Sequence, residues 1–215
     1  MRTITFTSQK GGVGKTSLAA SLAVAAAQAG ETVIALDLDP QGSLGAWGDE
    51  RQAETPAVDR LGPDQIAQLP SILTALAAKG FTLCILDTPG IANTAANLAV
   101  NAADLCLIPA RPSRIDIVAT WPTVEAVKRI GRPLAFVINQ APPGRNTRAS
   151  EAAAGLGLLG LLAEPIITAR ADHQDALAGG TGVTEYNPTG KAAEEVQALW
   201  AWVDQRTKGK MSNVA

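Results

Sequence analysis

Ser8-Gln9-Lys10-Gly11-Gly12-Val13-Gly14-Lys15-Thr16-Ser17, the stretch SQKGGVGKTS at 8–17, joins a β-rich run, TITFTS at 3–8, to an alanine-rich helical pattern from Lys15 to Ala29. Strand, glycine-rich turn and helix in that order make an anion site, because backbone N–H groups and the positive end of the helix dipole converge at the turn. Gly11, Gly12 and Gly14 let the main chain approach phosphate oxygens without Cβ clashes. Lys15 reaches for β- and γ-oxygens and Thr16 offers a hydroxyl to Mg²⁺, while Val13 and Ser17 complete the loop, Ser17 at the α-phosphate. The plain G-x-x-x-x-G-K-[ST] spacing is not met, because Gln9 stands where its first glycine belongs. The pattern is K-G-G-x-G-K-[ST], and it carries a second lysine, Lys10.

Acidic residues follow at the ends of the next two β-rich runs. Asp37 and Asp39, spaced i, i+2 in DLDPQ (37–41), fall at the carboxyl end of TVIALD, the edge where ligands bind in such sheets. Asp37 is expected to accept from water in the Mg²⁺ shell and Asp39 to position an attacking water. LCILDTPG places Asp87 after four apolar residues, which suits a carboxylate that holds Mg²⁺ through water. Thr88-Pro89-Gly90 then makes a turn under the γ-phosphate. No histidine or cysteine stands near these loops as a nucleophile, and phosphoryl transfer to water needs only positioning and charge. Hydrolysis of ATP is the expected chemistry.

Further β-rich runs at 81–87 (FTLCILD), 104–109 (DLCLIP), 134–139 (LAFVIN) and 164–168 (EPIIT) alternate with helical patterns at 64–78, 118–130, near 147–154 and at 189–206. Such alternation predicts βαβ units and a parallel sheet. Gly30, Gly80 and Gly131 stand where left-handed C-caps belong. In the last helix Val196, Leu199, Trp200 and Val203 recur at i, i+3, i+4, i+7, a stripe for the core. The chain is 47% hydrophobic but only 4% aromatic, so its core must come from Ala, Leu, Val and Ile, as in a sheet covered by alanine-rich helices. The expected fold is α/β: a single domain at 1–206 with a mostly parallel twisted sheet and helices on both faces, then a flexible polar tail at 207–215.

Composition removes several classes of function. Cys84 and Cys106 lie inside apolar stretches and read as buried thiols rather than a bridge or metal ligands. His173 is the only histidine, expected at the surface, so zinc sites and histidine-based triads have little to build on. No apolar leader precedes the first strand, so a cytoplasmic protein is expected. The longest apolar run, Ala152 to Ala163, has 12 residues and falls well short of the ~20 that cross a bilayer. The net charge of −2 is unevenly spread: 111–150 holds seven basic side chains against Asp116 and Glu125, a local +5 that leaves −7 elsewhere.

KGGVGKT resembles the deviant Walker A motif of the ParA/MinD ATPases, a P-loop family. DLDPQ matches that family's D-x-D-P-Q element, and LIPARPSRID (107–116) resembles its IP-x-x-PS-x-x-D segment. ITARADHQDALAGGTGVTE (167–185) and KAAEEVQALW (191–200) look like the carboxyl end of small, ParF-like partition proteins, so the resemblance covers essentially the whole chain. Those short forms lack an amino-terminal helix-turn-helix, and none is expected here. The resemblance implies that Lys10 reaches across a dimer interface to the partner's nucleotide, coupling ATP binding to dimerisation, and that Asn139 contacts the adenine. It also implies an ATP-dependent homodimer that binds DNA without sequence preference and is nucleoid-associated. By the same resemblance its ATPase is expected to be weak until stimulated by a ParB-type adaptor bound to cargo. Arg145, Arg148, Arg170 and Lys191 are the candidate DNA contacts, with plasmid DNA the expected cargo and carboxysomes or chemoreceptor clusters the alternative. A MinD-like membrane cycle ranks lower: RTKGKMSNVA offers only Met211 and Val214 to a bilayer, so no membrane partner is expected.

Overall fold

The computed structural model describes residues 1–144 and 147–208. Its strands are β1 (Arg2–Phe6), β2 (Val33–Asp37), β3 (Ala57–Arg60), β4 (Leu83–Asp87), β5 (Leu105–Ala110), β6 (Leu134–Ile138) and β7 (Leu161–Leu162). They form one sheet in the order β3-β2-β4-β1-β5-β6-β7, with every neighbouring pair parallel. The helices are α1 (Lys15–Gln28), α2 (Ser43–Glu50), α3 (Pro63–Ala67), α4 (Leu69–Ala78), α5 (Thr94–Ala102), α6 (Arg114–Ala119), α7 (Trp121–Ile130), α8 (Thr147–Gly157), α9 (Ala171–Ala178), α10 (Val183–Tyr186) and α11 (Lys191–Lys208).

Strand alternation sorts the core into two layers. Val33, Ala35, Leu83, Ile85, Leu105, Leu107, Ala135 and Val137 face one side, against α1, α2, α10 and α11. The residues between them face the other: Ile34, Leu36, Cys84 and Leu86 against α3 to α5, and Cys106, Ile108, Phe136 and Ile138 against α7 and α8. Because both faces are covered, β5 and β6 are apolar throughout and β2 and β4 are apolar up to their terminal aspartates, while the middle strand β1 buries Thr3 and Thr5, the Thr5 hydroxyl donating to the Ala99 carbonyl at 2.9 Å. α1 buries every residue from Leu18 to Ala26, five of them alanines, so its backbone lies close to the sheet. The expected stripe of Val196, Leu199, Trp200 and Val203 is buried against α1. Both cysteines are free and buried, and burial pushes the Cys106 thiol up to about 12. No helix among the described residues is long and apolar enough to cross a membrane.

The differences from expectation have local causes. The helix expected at 64–78 breaks at Gln68, and the one at 118–130 begins at Arg114 and breaks at Thr120, each just before a proline in the next first turn. EPIIT is not the seventh strand. Pro165 has no N–H for a ladder, so the strand is Leu161–Leu162, and EPIIT contributes one bridge, Thr168 to Ala141. The edge strand β3 was not expected, since its AVDR holds only two apolar residues, Ala57 and Val58, each half-buried against one of the two layers. α11 runs to Lys208, two residues into the expected tail, where Lys208 Nζ lies 3.0 Å from Asp204 and 3.4 Å from Glu31. Gly30, Gly80 and Gly131 do take left-handed φ.

Leu199→Ala should cost about 2–5 kcal/mol in chemical denaturation, while exposed Lys191→Ala on the same helix should stay within about 0.5 kcal/mol. Equal losses would contradict an inward stripe.

Candidate functional site

Register brings the acidic residues together. Asp37 pairs with Asp87 across β2 and β4, and Phe6 pairs with Asp87 across β1 and β4, so three strands end level. The strand order turns at β1, and ligands in open α/β sheets bind beyond the carboxyl ends at such a point. The loop after β1 occupies that place and leads into α1, whose N-cap, Gly14, has φ +89°. A Cβ at Gly14 would overlap the Asn139 side-chain amide, so only glycine passes there.

Side chains from the neighbouring strands hold this loop by its carbonyls. Asn139 Nδ2 donates to the Val13 carbonyl at 2.8 Å, and Arg111 Nη2 and Gln140 Nε2 (3.3 Å) donate to that of Gly12. Gln140 takes a left-handed φ of +55°, uncommon for a residue with a Cβ. The Gln9 N–H donates to Thr123 Oγ1 at 3.0 Å, fastening the start of the loop to α7. The amides from Gly11 to Ser17 have no acceptor among the described residues, which leaves them for an anion. Arg111, Thr123 and Gln140 carry no motif of their own, and sequence reasoning missed them.

The loop floors a cleft of about 630 Å³, lined also by Asp39, Pro89 and Gly90. Lys15 is buried there, its ammonium 3.5 Å from where a Cβ on Gly90 would lie. The Thr16 hydroxyl donates to Asp87 Oδ2 at 2.6 Å, while Asp87 Oδ1 is buried with no partner. Burial, and then the charges of Asp37 and Asp39, push the Asp87 carboxyl up to about 7 against the Thr16 hydrogen bond and Lys15. Asp37 is buried and fixed, its two oxygens accepting the Asp39 and Gly45 amides at 2.9 Å each. Asp39 is half-buried, with Oδ1 accepting from the Gln41 amide at 3.0 Å. Among the described residues no three His, Cys, Asp or Glu side chains gather closely enough to cage an ion. A hydroxyl and an orphaned carboxylate oxygen beside a phosphate site do fit Mg²⁺, which uses few protein ligands and keeps its waters.

The two lysines part company. Lys10 does not line the cleft: its side chain is about one-third exposed and its ammonium pairs with Asp116 at the start of α6. Ser113 caps that helix by accepting from the Asp116 amide at 3.1 Å and also hydrogen-bonds its carboxylate. Burial would raise the Asp116 carboxyl, but hydrogen bonds from Lys10 and Ser113 and the charges of Lys10 and Arg111 outweigh it and hold the group low.

A second cleft, of about 510 Å³, shares Ser17, Gln140 and Leu177 with the first and is lined also by Asn139, Arg170 and His173. The expected surface histidine is thus half-buried in a cleft wall, and burial lowers its pKa against the pull of Glu195 and Asp172. Of the candidate DNA contacts, Arg170 pairs with Glu195 at 2.8 Å in this wall, Arg148 lies on α8, and Lys191 is exposed at the start of α11. Arg145 lies outside the described residues.

A model of the CobQ/CobB/MinD/ParA nucleotide-binding domain matches residues 4–179. The maintenance of carboxysome distribution protein A of Gloeobacter kilaueensis is 34% identical over 202 residues, covering 92% of this chain and 89% of that protein. The septum site-determining protein MinD of Pyrococcus horikoshii, solved with Mg-ADP, superposes with a TM-score of 0.75 at 21% identity over 95% of this chain and 96% of its own. A ParA family ATPase from Chlorobium tepidum gives 0.72 at 19% identity over 93% and 98%.

A carboxyl that titrates near 7 when folded and at 3.8 otherwise favours folding when protonated, so Asp87's contribution to the stability of the nucleotide-free chain should grow as pH falls from 8 towards 5, while His173, whose pKa is lowered, works in the opposite sense. Asp87→Asn should raise the chain's melting temperature at pH 8 by about 3 °C or more and by less at pH 5, and a drop at pH 8 would contradict the burial of that charge. With a pinned glycine-rich loop, level carboxylates at the sheet's switch point and a family model spanning most of its length, this chain belongs to the CobQ/CobB/MinD/ParA nucleotide-binding family.

Proposed function

We propose that the chain is an ATP-dependent positioning ATPase that closes as a homodimer over two nucleotides, Lys10 of each subunit serving its partner's. The observation that carries this reading is the separation of the lysines: Lys15 is buried in the phosphate cleft, while Lys10 stands outside it on Asp116. A lysine so placed adds little to its own phosphate site, but supplied in trans it stabilises transition-state charge only when two subunits meet. Exposed apolar side chains support such a meeting: Ile91, lining the phosphate cleft, at 63% exposure, and Ile115, next in sequence to Asp116, at 76%.

In this reading the amides of Gly11 to Ser17 and the Lys15 ammonium bind the phosphates, and the base enters the second cleft beside Asn139. Thr16 would hold Mg²⁺ directly, and Asp37 and Asp87 through water. The ion, when bound, draws charge from the phosphate oxygens. Asp39, half-buried at the cleft edge, orients the water that attacks. An adaptor of ParB type raises a low basal turnover, and the ATP dimer holds non-specific DNA through its basic side chains. Plasmid DNA is the first cargo considered. A protein cargo is the second, favoured by the carboxysome-distribution relative that aligns over 92% of this chain.

Lys10→Ala should bind ATP almost normally yet lose hydrolysis by about tenfold or more, measured by phosphate release, and full activity in that variant would remove the trans role. DNA retention of the ATP form should fall steeply between about 50 and 200 mM salt, whereas a flat titration would contradict backbone contact by basic side chains.

A further inference from the structure

The second cleft has a wall whose support comes from far away in the chain. Thr168 to Arg170 follows the short β7 and is irregular, tied on one side to the sheet edge: the Ala141 amide donates to Ile167 at 3.1 Å and the Ala169 amide to Ala141 at 2.8 Å. On the other side one carboxylate does the holding. Glu195 Oε2 accepts the Thr168 N–H at 2.8 Å, and Oε1 accepts both the Thr168 hydroxyl and Arg170 Nη2 at 2.8 Å. Glu195 is half-buried on α11, between residues that anchor that helix in the core. Every hydrogen bond and ion pair described for its carboxylate goes to this wall, and its charge also acts on His173 beside it.

What the wall faces is polar and unfinished. Arg111 Nε, Arg170 Nε and His173 Nε2 are buried without a partner among the described residues, and all three side chains line this cleft. Leu18 and Leu177 supply apolar surface, and Ser17, at the end of the phosphate loop, joins the cleft to the first. A flat, partly apolar group with polar edges, attached to an α-phosphate, suits that lining.

We propose that Glu195 is the positioning residue of a nucleobase chamber: by fixing Thr168 and Arg170 it sets the wall against which the base lies. Affinity for the base, as distinct from the phosphates, is then governed from the carboxyl-terminal helix. The inference rests on the nucleotide reading of the phosphate cleft. Removing the carboxylate leaves a backbone N–H, a hydroxyl and a guanidinium without their acceptor, so the wall relaxes while the phosphate loop, pinned by other residues, does not.

The test compares ATP with inorganic tripolyphosphate, which carries phosphates and no base, by calorimetric titration of the intact chain. Glu195→Ala should weaken ATP about tenfold while tripolyphosphate stays within about twofold. In steady-state hydrolysis KM for ATP should rise with kcat at saturation nearly unchanged. Glu195→Gln should recover part of the loss, since its amide oxygen still accepts from Thr168, and Thr168→Val should give a smaller loss of the same kind without touching the helix. Unchanged ATP affinity in Glu195→Ala and Thr168→Val would overturn the proposal, as would parallel losses for ATP and tripolyphosphate. Wild-type protein that binds tripolyphosphate as tightly as ATP would remove the chamber and leave the phosphate site standing, whereas wild-type protein that binds neither would remove both.

Discussion

A loop of backbone amides can hold a polyphosphate only if its carbonyls are kept turned away from the charge. Here that is done from outside the loop, by Asn139 on Val13 and by Arg111 and Gln140 on Gly12. Each donor stands just beyond the end of β5 or β6, so the sheet itself presets the loop. Preset dipoles need no reorganisation when an anion arrives, which is why they are worth more than the same groups in water. Gln140 adopts a left-handed backbone at this spot, and strained residues of that kind cluster where a site must be held in one geometry.

The same sheet governs the charge balance. A parallel register that levels Asp37 with Asp87 puts two buried carboxylates side by side, and the charge of buried Lys15 offsets only part of what burial does to Asp87. Asp37 is compensated by two amides, but one oxygen of Asp87 has nothing, and its raised pKa expresses that debt. Stability is given up locally for a site that a hydrated cation would complete. The rest of the fold supplies the margin, through two apolar layers and an alanine-rich α1 that lies close on the sheet.

How much of this could be read from residues alone depended on whether a feature is local. The strand, glycine-rich turn and first helix, the apolar strands and the stripe of α11 are set by neighbours in sequence, and each is legible in spacing alone. Helix breaks at Gln68 and Thr120 were also local, but two residues of warning before a proline are easily read through. What escaped were contacts across the sheet: Arg111, Thr123 and Gln140 on the loop, Asp116 on Lys10, and Glu195 on Thr168 and Arg170. In each case the partners are brought together by topology over 25 to 128 positions, and no periodicity records it. His173 misled for the opposite reason, since a lone histidine among polar residues looks like surface until α9 is seen to wall a cleft.

Two lysines in one loop make sense when only one belongs to the subunit's own nucleotide. The most direct measurement mixes two inactive variants, Lys10→Ala and Asp39→Ala, with ATP. In a mixed dimer one site combines an intact Asp39 with the partner's intact Lys10, so phosphate release should return on mixing, to about a quarter of the wild-type rate if subunits pair at random. A mixture that stays at the sum of its two inactive parents would contradict catalysis shared across the dimer.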